Sequence, residues 1–566
     1  MLWKYRPFDP DRARLLARNL SLPVKCGEFL AARGFSEEWQ VNNFLSGDLK
    51  KLPAPETMPG LDNGVRLILE ALDSDKTIAI AGDYDADGLT ATALLYRVLK
   101  AAGARVLTRV PNRLSEGYGL SVTAVTELKE EKADLLITVD CGISDFEAIK
   151  KAGELDLPTI VTDHHRLPPE LPPAAAIINP HLGGGWEENP LAGVGVAFML
   201  AWGLIRVLKN RGRELNISLV ENLALVALGT IADVAPLVGP NRILVTHGLN
   251  FLAKLNWPGL KALRKRVIKK EGYVSVRDVG FGFAPRLNAA GRLGETDVAL
   301  DILITENHAE AERLAEKLEN FNRIRLKNQN ALLEEALEQL AEQELDIISA
   351  RTVVLAGEGW AKGLLGLVAS RIAETTMRPT ILMTVEGGLA TGSGRSVPGF
   401  NLFQALDPLR DLCKSVGGHA QAAGLKIDPD KIDAFREAFE RSARNQDPPE
   451  AEPQLEVDLV ANLPDLEQIL PVLAKLEPFG PGHPAPVAVL KNVRVLEAVP
   501  TKSNGDQHMH LRLYDGLTKV GFVGFKLAPR LHEIGTRVDV AVQLETEKFG
   551  QHEPSWRLLD FKTPAV

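Results

Sequence analysis

The sequence predicts an α/β protein built from a parallel sheet, a long helix, a second α/β unit and a small C-terminal β domain. Three observations carry this reading. From residue 77, short β-rich runs alternate with amphipathic stretches of helical period, the pattern of a parallel sheet with helical crossovers. Residues 306–345 read as one charged helix. The final segment, roughly 110 residues, holds several short strand-like runs, which suits a small barrel or sandwich.

Taken in order, residues 1 to about 50 are mixed and carry no legible chemistry. "TIAIAG" (77–82), "RVLTRV" (105–110), "DLLITVD" (134–140), "PTIVTD" (158–163) and "AAIINP" (175–180) are the expected parallel strands. Residues 192–236 read as mainly helical. Forty helical residues over 306–345 would reach about 60 Å. No sustained a/d seam runs through them, so a bridge between domains is expected rather than a coiled coil. "RTVVLAG" (351–357) and "PTILMTVE" (379–386) read as strands around a helix, "GLLGLVASRIAET" (363–375). "RNQDPPEAEPQ" (444–454) reads as a linker. The last runs are "PVAVLKNVRVLEAV", "HMHLRLYD", "VGFVGF", "RVDVAVQLE" and "SWRLLDF". No internal repeat is evident.

At 566 residues the chain is too long for one core, and three or four domains are expected. Its 45% hydrophobic and 25% charged content is ordinary for a soluble globular protein. No apolar run reaches the ~20 residues that span a bilayer, and "MLWKYRPFDP" lacks the apolar segment of a secretory signal. The three cysteines, Cys26, Cys141 and Cys413, are far apart and form no CxxC pair. That argues against a zinc ribbon or a disulfide framework and suits a reducing cytoplasm. A net charge of −9 speaks weakly against nucleic acid as a partner, although local patches matter more than the sum. "KALRKRVIKK" (261–270) is such a patch: either a solvated helix face or a phosphate-contacting flank.

The chemistry gathers at strand ends. "GDYDADG" places Asp83, Asp85 and Asp87 directly after the first strand, where open parallel sheets hold ligands. Asp140 ends the third strand, and "VTDHH" puts Asp163, His164 and His165 after the fourth. Singly, each has an ordinary alternative: a turn residue, a helix N-cap or a structural histidine. Together, at the ends of successive parallel strands, they point to metal. Carboxylates and imidazoles without thiolates suit manganese or magnesium. Two divalent ions about 3.5–4 Å apart would offset the acidic repulsion, polarise a phosphoryl oxygen and activate a water.

"GDYDADGLTATAL" with "VTDHH" resembles the DHH phosphoesterase superfamily, and "GTIADVAPL" is similar to its later aspartate motif, at Asp233. "APRLNAAGRLG" (284–294) and "SVGGHAQAAG" (415–424) resemble its RecJ branch. "EPFGPGHPAP" (477–486) is similar to the start of that branch's oligonucleotide-binding domain, with His483 where related sequences often carry asparagine. The resemblance covers most of residues 77–490, in the expected order. It implies an N-terminal segment (1–50), a DHH parallel-sheet catalytic domain (51–300) and a connecting long helix (301–350). A DHH-associated α/β domain (351–447) and an OB-like β-barrel (455–566) follow. The implied activity is single-strand-specific 5′-to-3′ DNA exonuclease in recombination and repair, using two Mn2+ or Mg2+ ions.

The same resemblance implies roles. Asp85, Asp87, Asp140, His164 and Asp233 would be metal ligands, with Asp140 as the bridge; Asp83 stands where many relatives carry histidine and joins the ligand set. Asp163 would orient an imidazole, and His165 would face the scissile phosphate as a donor. Activated water, not a side chain, would be the nucleophile. Ser393 and Arg395 of "LATGSGRSVPGF" (389–400), read as a small-residue loop after a strand, would grip the 5′-phosphate with Arg292. Asn288, from the motif of Arg292, joins the substrate-binding set. His419 would touch the substrate or hold the glycine turn. In "RVPNRLSEGYGL", Arg113 offers a cation and Tyr118 a stacking ring. The barrel would bind the strand, although "TKSNGDQHMHLRLYDG" shows no aromatic ladder. The implied partners are single-stranded DNA with a 5′ end, a RecQ-type helicase and a single-strand-binding protein. A monomer without membrane contact is expected. Two rivals remain at this point: a DHH-family oligonucleotide or cyclic-dinucleotide phosphodiesterase, and a non-catalytic single-strand-binding scaffold.

Overall fold

The computed structural model describes residues 1–113, 116–268, 272–342, 350–446, 454–503, 506–547 and 555–564. Most of the linker reading, residues 447–453, and the end of the basic run, residues 269–270, lie outside them. The chain divides into two compact units: residues 54–233 with 248–451, and residues 1–53 with 234–247 and 452–566.

The larger unit opens with a five-stranded parallel sheet. Its order is Arg105–Arg109, Thr77–Gly82, Leu135–Val139, Thr159–Thr162, Ala176–Ile178. The β-rich runs of the sequence are these strands. The chain starts at Thr77–Gly82, crosses to one side, then returns to continue on the other. The order therefore reverses between Thr77–Gly82 and Leu135–Val139, and crossover helices leave a crevice at such a point. Asp83 and Asp140 leave those two strands. Helix Ala86–Ala101 packs against Gly193–Asn210 and Leu223–Ala232. Gly193–Asn210 is long and apolar enough to cross a membrane, but 67% of it is buried in the core.

The long helix spans 35 residues, His308–Glu342, or about 50 Å. Residues 343–345, the end of the stretch expected from sequence, lie outside the described residues. Lys265 and Arg266 of the basic run bind Glu312 on this helix at 2.7 and 2.9 Å, and Arg264 donates to the carbonyls of Leu252 and Leu255. Three of the six cations are thus engaged within the protein.

The second sheet runs Ser415–Gly418, Ala422–Ile427, Leu389–Arg395, Thr380–Glu386, Val353–Glu358. Only its last pair is parallel, and helix Lys362–Thr376 connects the two strands. "LATGSGR", expected from the sequence to be a loop, is a strand. Its glycines face the interior. A Cβ on Gly392 would lie 3.1 Å from Leu425 and Met383 side-chain atoms, and one on Gly394 would lie 3.0 Å from Leu402. A Cβ at either position would crowd these side chains by a few tenths of an ångström, so small residues suit the packing there, and they mask the strand pattern.

In the smaller unit, Val487–Ser503, Asp506–Tyr514, Lys519–Gly524, Ser555–Lys562 and Arg537–Glu547 close into a five-stranded barrel, since Arg537–Glu547 pairs back onto Val487–Ser503. Its core includes Leu16, Cys26, Phe29, Leu30 and Val41, so the N-terminal helices belong to this unit. Arg242 is buried here and donates to the carbonyls of Phe44, Leu476, Glu477 and Pro478. His483 packs on Phe44 and Phe479 and donates through Nε2 to the Leu476 carbonyl at 3.1 Å. Burial, aided by Arg242, pushes this imidazole down to about 3, so it is neutral.

Candidate active site

The acid cluster begins where the first strand becomes a helix. Asp85 is the N-cap of Ala86–Ala101: its Oδ1 accepts from the N–H groups of Asp87 and Gly88 at 2.9 and 3.2 Å. Asp87 lies in the first turn and is fully buried. Its two oxygens accept from Gly193 N and Val194 N, at 2.7 and 2.9 Å, at the start of Gly193–Asn210. That helix N-terminus supports the negative charge. Asp83 is also buried, and its Oδ1 has no hydrogen-bond partner among the described residues.

Asp140 sits in the left-handed region, at φ 60°. Such a conformation is costly for a residue with a Cβ and persists only where the surroundings enforce it. Here Asp140 N donates to Thr162 O at 3.0 Å, and Thr138 Oγ1 donates to Cys141 O at 2.8 Å. The turn aims Asp140 Oδ1 at His164 Nε2, 3.0 Å away. The two atoms do not hydrogen-bond to each other or to anything else among the described residues. Two buried polar atoms facing one point without bonding are placed to share a cation. His164 Nδ1 lies 3.9 Å from Asp233 Oδ2, and Nε2 lies 3.9 Å from Asp87 Oδ2. Asp233 is the C-cap of Leu223–Ala232. Three overlapping groups result: Asp83, Asp85 and Asp140; Asp87, His164 and Asp233; Asp140, His164 and His165. Within each, the ligand atoms lie within 4.8 Å of one another.

Electrostatics point the same way. Burial is the largest cause raising Asp83, Asp87, Asp140 and Asp233, and neighbouring carboxylates add to it in Asp83, Asp87, Asp140 and Asp233 alike. Asp87 is pushed up to about 7. Divalent cations would restore these groups to their charged form. The donor set of carboxylates and imidazole fits Mn2+ or Mg2+. Cys141 is directed elsewhere: its Sγ–H donates to the Ala81 carbonyl at 3.7 Å, and burial raises its thiol.

Asp163 faces away from this point. It accepts from Ile143 N, His164 N, His165 N and the His165 ring, the last at 2.7 Å. Burial alone would raise Asp163, but the His165 imidazole and these N–H groups hold it below the usual carboxylate range. Burial would likewise lower His165, and Asp163 outweighs that and raises it. Tyr118 is half exposed, lies edge-on to the His165 ring at 5.6 Å, and its hydroxyl is 3.2 Å from His165 Nδ1 and from Asp140 O.

A cationic patch borders the unit's second sheet. Ser393 and Arg395, two apart on one strand, share a face, and Arg395 Nη1 donates to Ser393 Oγ at 3.2 Å. Gly366 lies against both: a Cβ there would be 2.5 Å from Arg395 Nη2 and 3.0 Å from Ser393 Oγ. Arg292 Nη1 donates to Gly363 O, one turn earlier in the same helix, at 2.6 Å. Arg113 lies over the Tyr84 ring, 4.9 Å from its centre. Burial lowers Arg292 to about 9, with Arg113, Arg325 and Arg395 contributing in the same direction. Asn288 Oδ1 accepts from Ala86 N at 2.7 Å, tying its helix to the acid loop. The exposed His419 accepts from Gln421 N, 3.3 Å away in its own hairpin, and among the described residues makes no contact with the acid cluster.

Sequence reasoning missed Gly193. Its N–H holds Asp87, and a Cβ on it would sit 2.5 Å from Asp140 Oδ1. Gly229 is similar, with a Cβ position 2.5 Å from Asp87 Oδ1. Both lie in helices far along the chain, and nothing in "LAGVGVAF" or "LGTIAD" indicates which carboxylate they meet.

Comparison with known proteins agrees with this geometry. Residues 77–230 match the DHH family, N-terminal domain; residues 348–445 match the DHHA1 domain; residues 457–558 match the RecJ OB domain. The chain is 34% identical over 580 residues to the single-stranded-DNA-specific exonuclease RecJ of Bacillus subtilis, covering 99% of this chain and 72% of the relative. To the protein of that name from Thermus thermophilus it is 39% identical over 491 residues, covering 85% and 70%. The crystal structure of Thermus thermophilus RecJ in complex with Mn2+ superposes with a TM-score of 0.84 at 32% identity, covering 100% of this chain and 80% of that one. The Mg2+ complex gives 0.78 at 31% identity, covering 100% and 79%. Likeness at this level, across nearly every residue of the chain, means that it belongs to the RecJ family.

Proposed function

We infer that this chain is a single-stranded-DNA-specific exonuclease that hydrolyses phosphodiester bonds from the 5′ end with two divalent cations. The facing, unbonded pair Asp140 Oδ1 and His164 Nε2 carries the reading. Asp83, Asp85, Asp87, Asp140, His164 and Asp233 would hold the cations. Mn2+ or Mg2+ bound there would neutralise phosphoryl oxygens and supply a water acidic enough to attack at neutral pH.

The chain's own residues do the rest. Asp163 fixes the His165 ring and favours its charged form, so His165 donates to the phosphate as negative charge develops. Arg113, Arg292, Ser393 and Arg395 hold the terminal 5′-phosphate. Tyr118 offers a half-exposed ring for a base, and Asn288 steadies the acid loop. His419, exposed on a glycine hairpin, contacts the substrate. Anchoring the terminal phosphate places the next phosphodiester in the reaction. Water adds to that phosphorus, the bond to the 3′-oxygen of the terminal nucleotide breaks, and that oxygen takes a proton. The shortened strand then carries a new 5′-phosphate, which the same arginines can hold. Breaking the other P–O bond would leave a hydroxyl that they could not.

The barrel binds single strands through its fold, as OB folds do. A cytoplasmic setting is supported by Cys26, Cys141 and Cys413, all free thiols. Action as a monomer beside a RecQ-type helicase and a single-strand-binding protein follows from the family reading alone. The test is product analysis on single strands labelled at either end, with Mn2+, Mg2+ or chelator. Mononucleotide release from the 5′ end only, abolished by chelation, is expected; 3′-end release or chelator-resistant activity would contradict the reading.

A further inference from the structure

The long helix His308–Glu342 carries a polar interruption that the reaction above does not use. Its inward stripe is apolar near the start, where Ala311, Leu314, Ala315 and Leu318 are buried. It is apolar again near the end, at Leu332, Leu333, Ala336 and Leu340. Stepping from Leu318 by four, three and four residues, the same stripe passes through Asn322, Arg325 and Gln329. Arg325 Nη2 donates to Asn322 Oδ1 at 2.8 Å, and Nη1 donates to Gln329 Oε1 at 3.1 Å. Arg325 Nε is buried and has no partner among the described residues. Two neutral amides therefore fix the guanidinium without neutralising it.

The position of this interruption matters. Before it, the helix packs on Ala284–Arg292, where Arg286 Nε donates to Glu319 Oε2 at 2.6 Å. After it, Leu332 and Leu333 share a core with Leu364 and Leu365 of Lys362–Thr376. Arg325 thus lies where the long helix passes from one of these helices to the other. That junction is where Arg292 reaches Gly363 O, beside the patch formed with Arg113 and Arg395. Like-charge influence of Arg325 on Arg292 agrees with this placement.

We propose that Arg325 is a fourth guanidinium of the terminal-phosphate pocket and sets the preference for a phosphorylated 5′ end. The proposal rests on the 5′-end reading above and deepens it. A terminal phosphate carries about two negative charges at neutral pH, against one on an internal phosphodiester. A surplus of fixed cations therefore favours the end over the interior of a strand, and a phosphate over a hydroxyl.

The test compares 5′-phosphorylated and 5′-hydroxyl single strands of one sequence, with the full chain, R325Q and R325K, in Mn2+. R325Q is expected to lower kcat/KM on the phosphorylated strand about 10- to 100-fold, chiefly through KM. The hydroxyl strand should suffer less, so the ratio between ends shrinks. R325K, keeping charge without the planar fork, should recover part of that ratio. Equal losses on both ends, with or without a fall in thermal midpoint, would overturn the proposal, because a merely structural residue would act that way. A wild-type ratio in R325Q would overturn it too. If the unaltered protein itself shows no preference for a 5′-phosphate, the phosphate-anchor assignment of Arg292, Ser393 and Arg395 fails and Arg325's role fails with it, while release from the 5′ end, tested separately above, would still stand.

Discussion

Replacing Gly193 with alanine should disable the metal centre through one methyl group. The residue lies outside the left-handed region, so alanine brings no backbone strain. Its Cβ would sit 2.5 Å from Asp140 Oδ1 and 2.6 Å from Asp140 Cβ. Ordinary contact begins at 3.4 Å, so Asp140 or the helix start must retreat by about 0.9 Å. If the helix retreats, the N–H bonds to Asp87 lengthen from 2.7 and 2.9 Å. If Asp140 retreats, its Oδ1 leaves the point it shares with His164 Nε2. Overpacking of this kind costs about 1–3 kcal/mol. A displacement near 1 Å costs about 100-fold in turnover, and loss of support for a ligand costs about 10- to 100-fold in metal affinity. Calorimetric titration with Mn2+ and turnover on a 5′-phosphorylated single strand measure the two effects. Wild-type affinity and turnover in a folded G193A protein would refute the assigned roles of Asp87 and Asp140.

Asp140→Ala should abolish nuclease activity while single-strand binding, read by fluorescence anisotropy, is largely retained; unchanged activity would remove this carboxylate from the mechanism. Arg395→Ala should weaken the preference for a 5′-phosphate more than it weakens Mn2+ binding, and equal loss of both would count against the anchor assignment. Burial and neighbouring carboxylates raise Asp87 from 3.8 to about 7 in the folded protein. A raised folded-state value means that the folded state binds the proton more tightly than the unfolded chain. Its contribution to the stability of the metal-free protein is complete below about pH 4 and is lost as pH rises through about 7. Mn2+ binds the ionised form, so its addition should raise the thermal midpoint more at pH 8 than at pH 5. Equal rises at both values would contradict the pressure these acids are said to be under.

The parallel strands were legible because each is a short β-rich run with a polar exit, and the exits at Asp83, Asp140 and Asp163 marked the site. The C-terminal β domain was legible as several strand-like runs in a short span, but these fitted a barrel or a sandwich equally, and closure rests on the pairing of Arg537–Glu547 with Val487–Ser503. Other features depend on contacts between residues far apart in sequence. Leu389–Arg395 looked like a loop because glycines fill its inner face, where Leu425, Met383 and Leu402 pack closely. Arg242 reads as an ordinary helix cation, yet it gathers carbonyls from Phe44 and from Leu476 to Pro478, about 200 residues away on either side. Nothing local to residues 234–247 places them with the barrel rather than with the catalytic sheet. Gly193 meets Asp140 from a helix that periodicity shows only as apolar core.

The central claim is that the carboxylates around position 85 and the two histidines hold two divalent cations. Anomalous scattering at the manganese edge, from crystals grown with Mn2+, tests it most directly. Two peaks are predicted, both touching Asp140 and one touching His164 and Asp233. Density free of any anomalous peak beside Asp140 and His164 would contradict it.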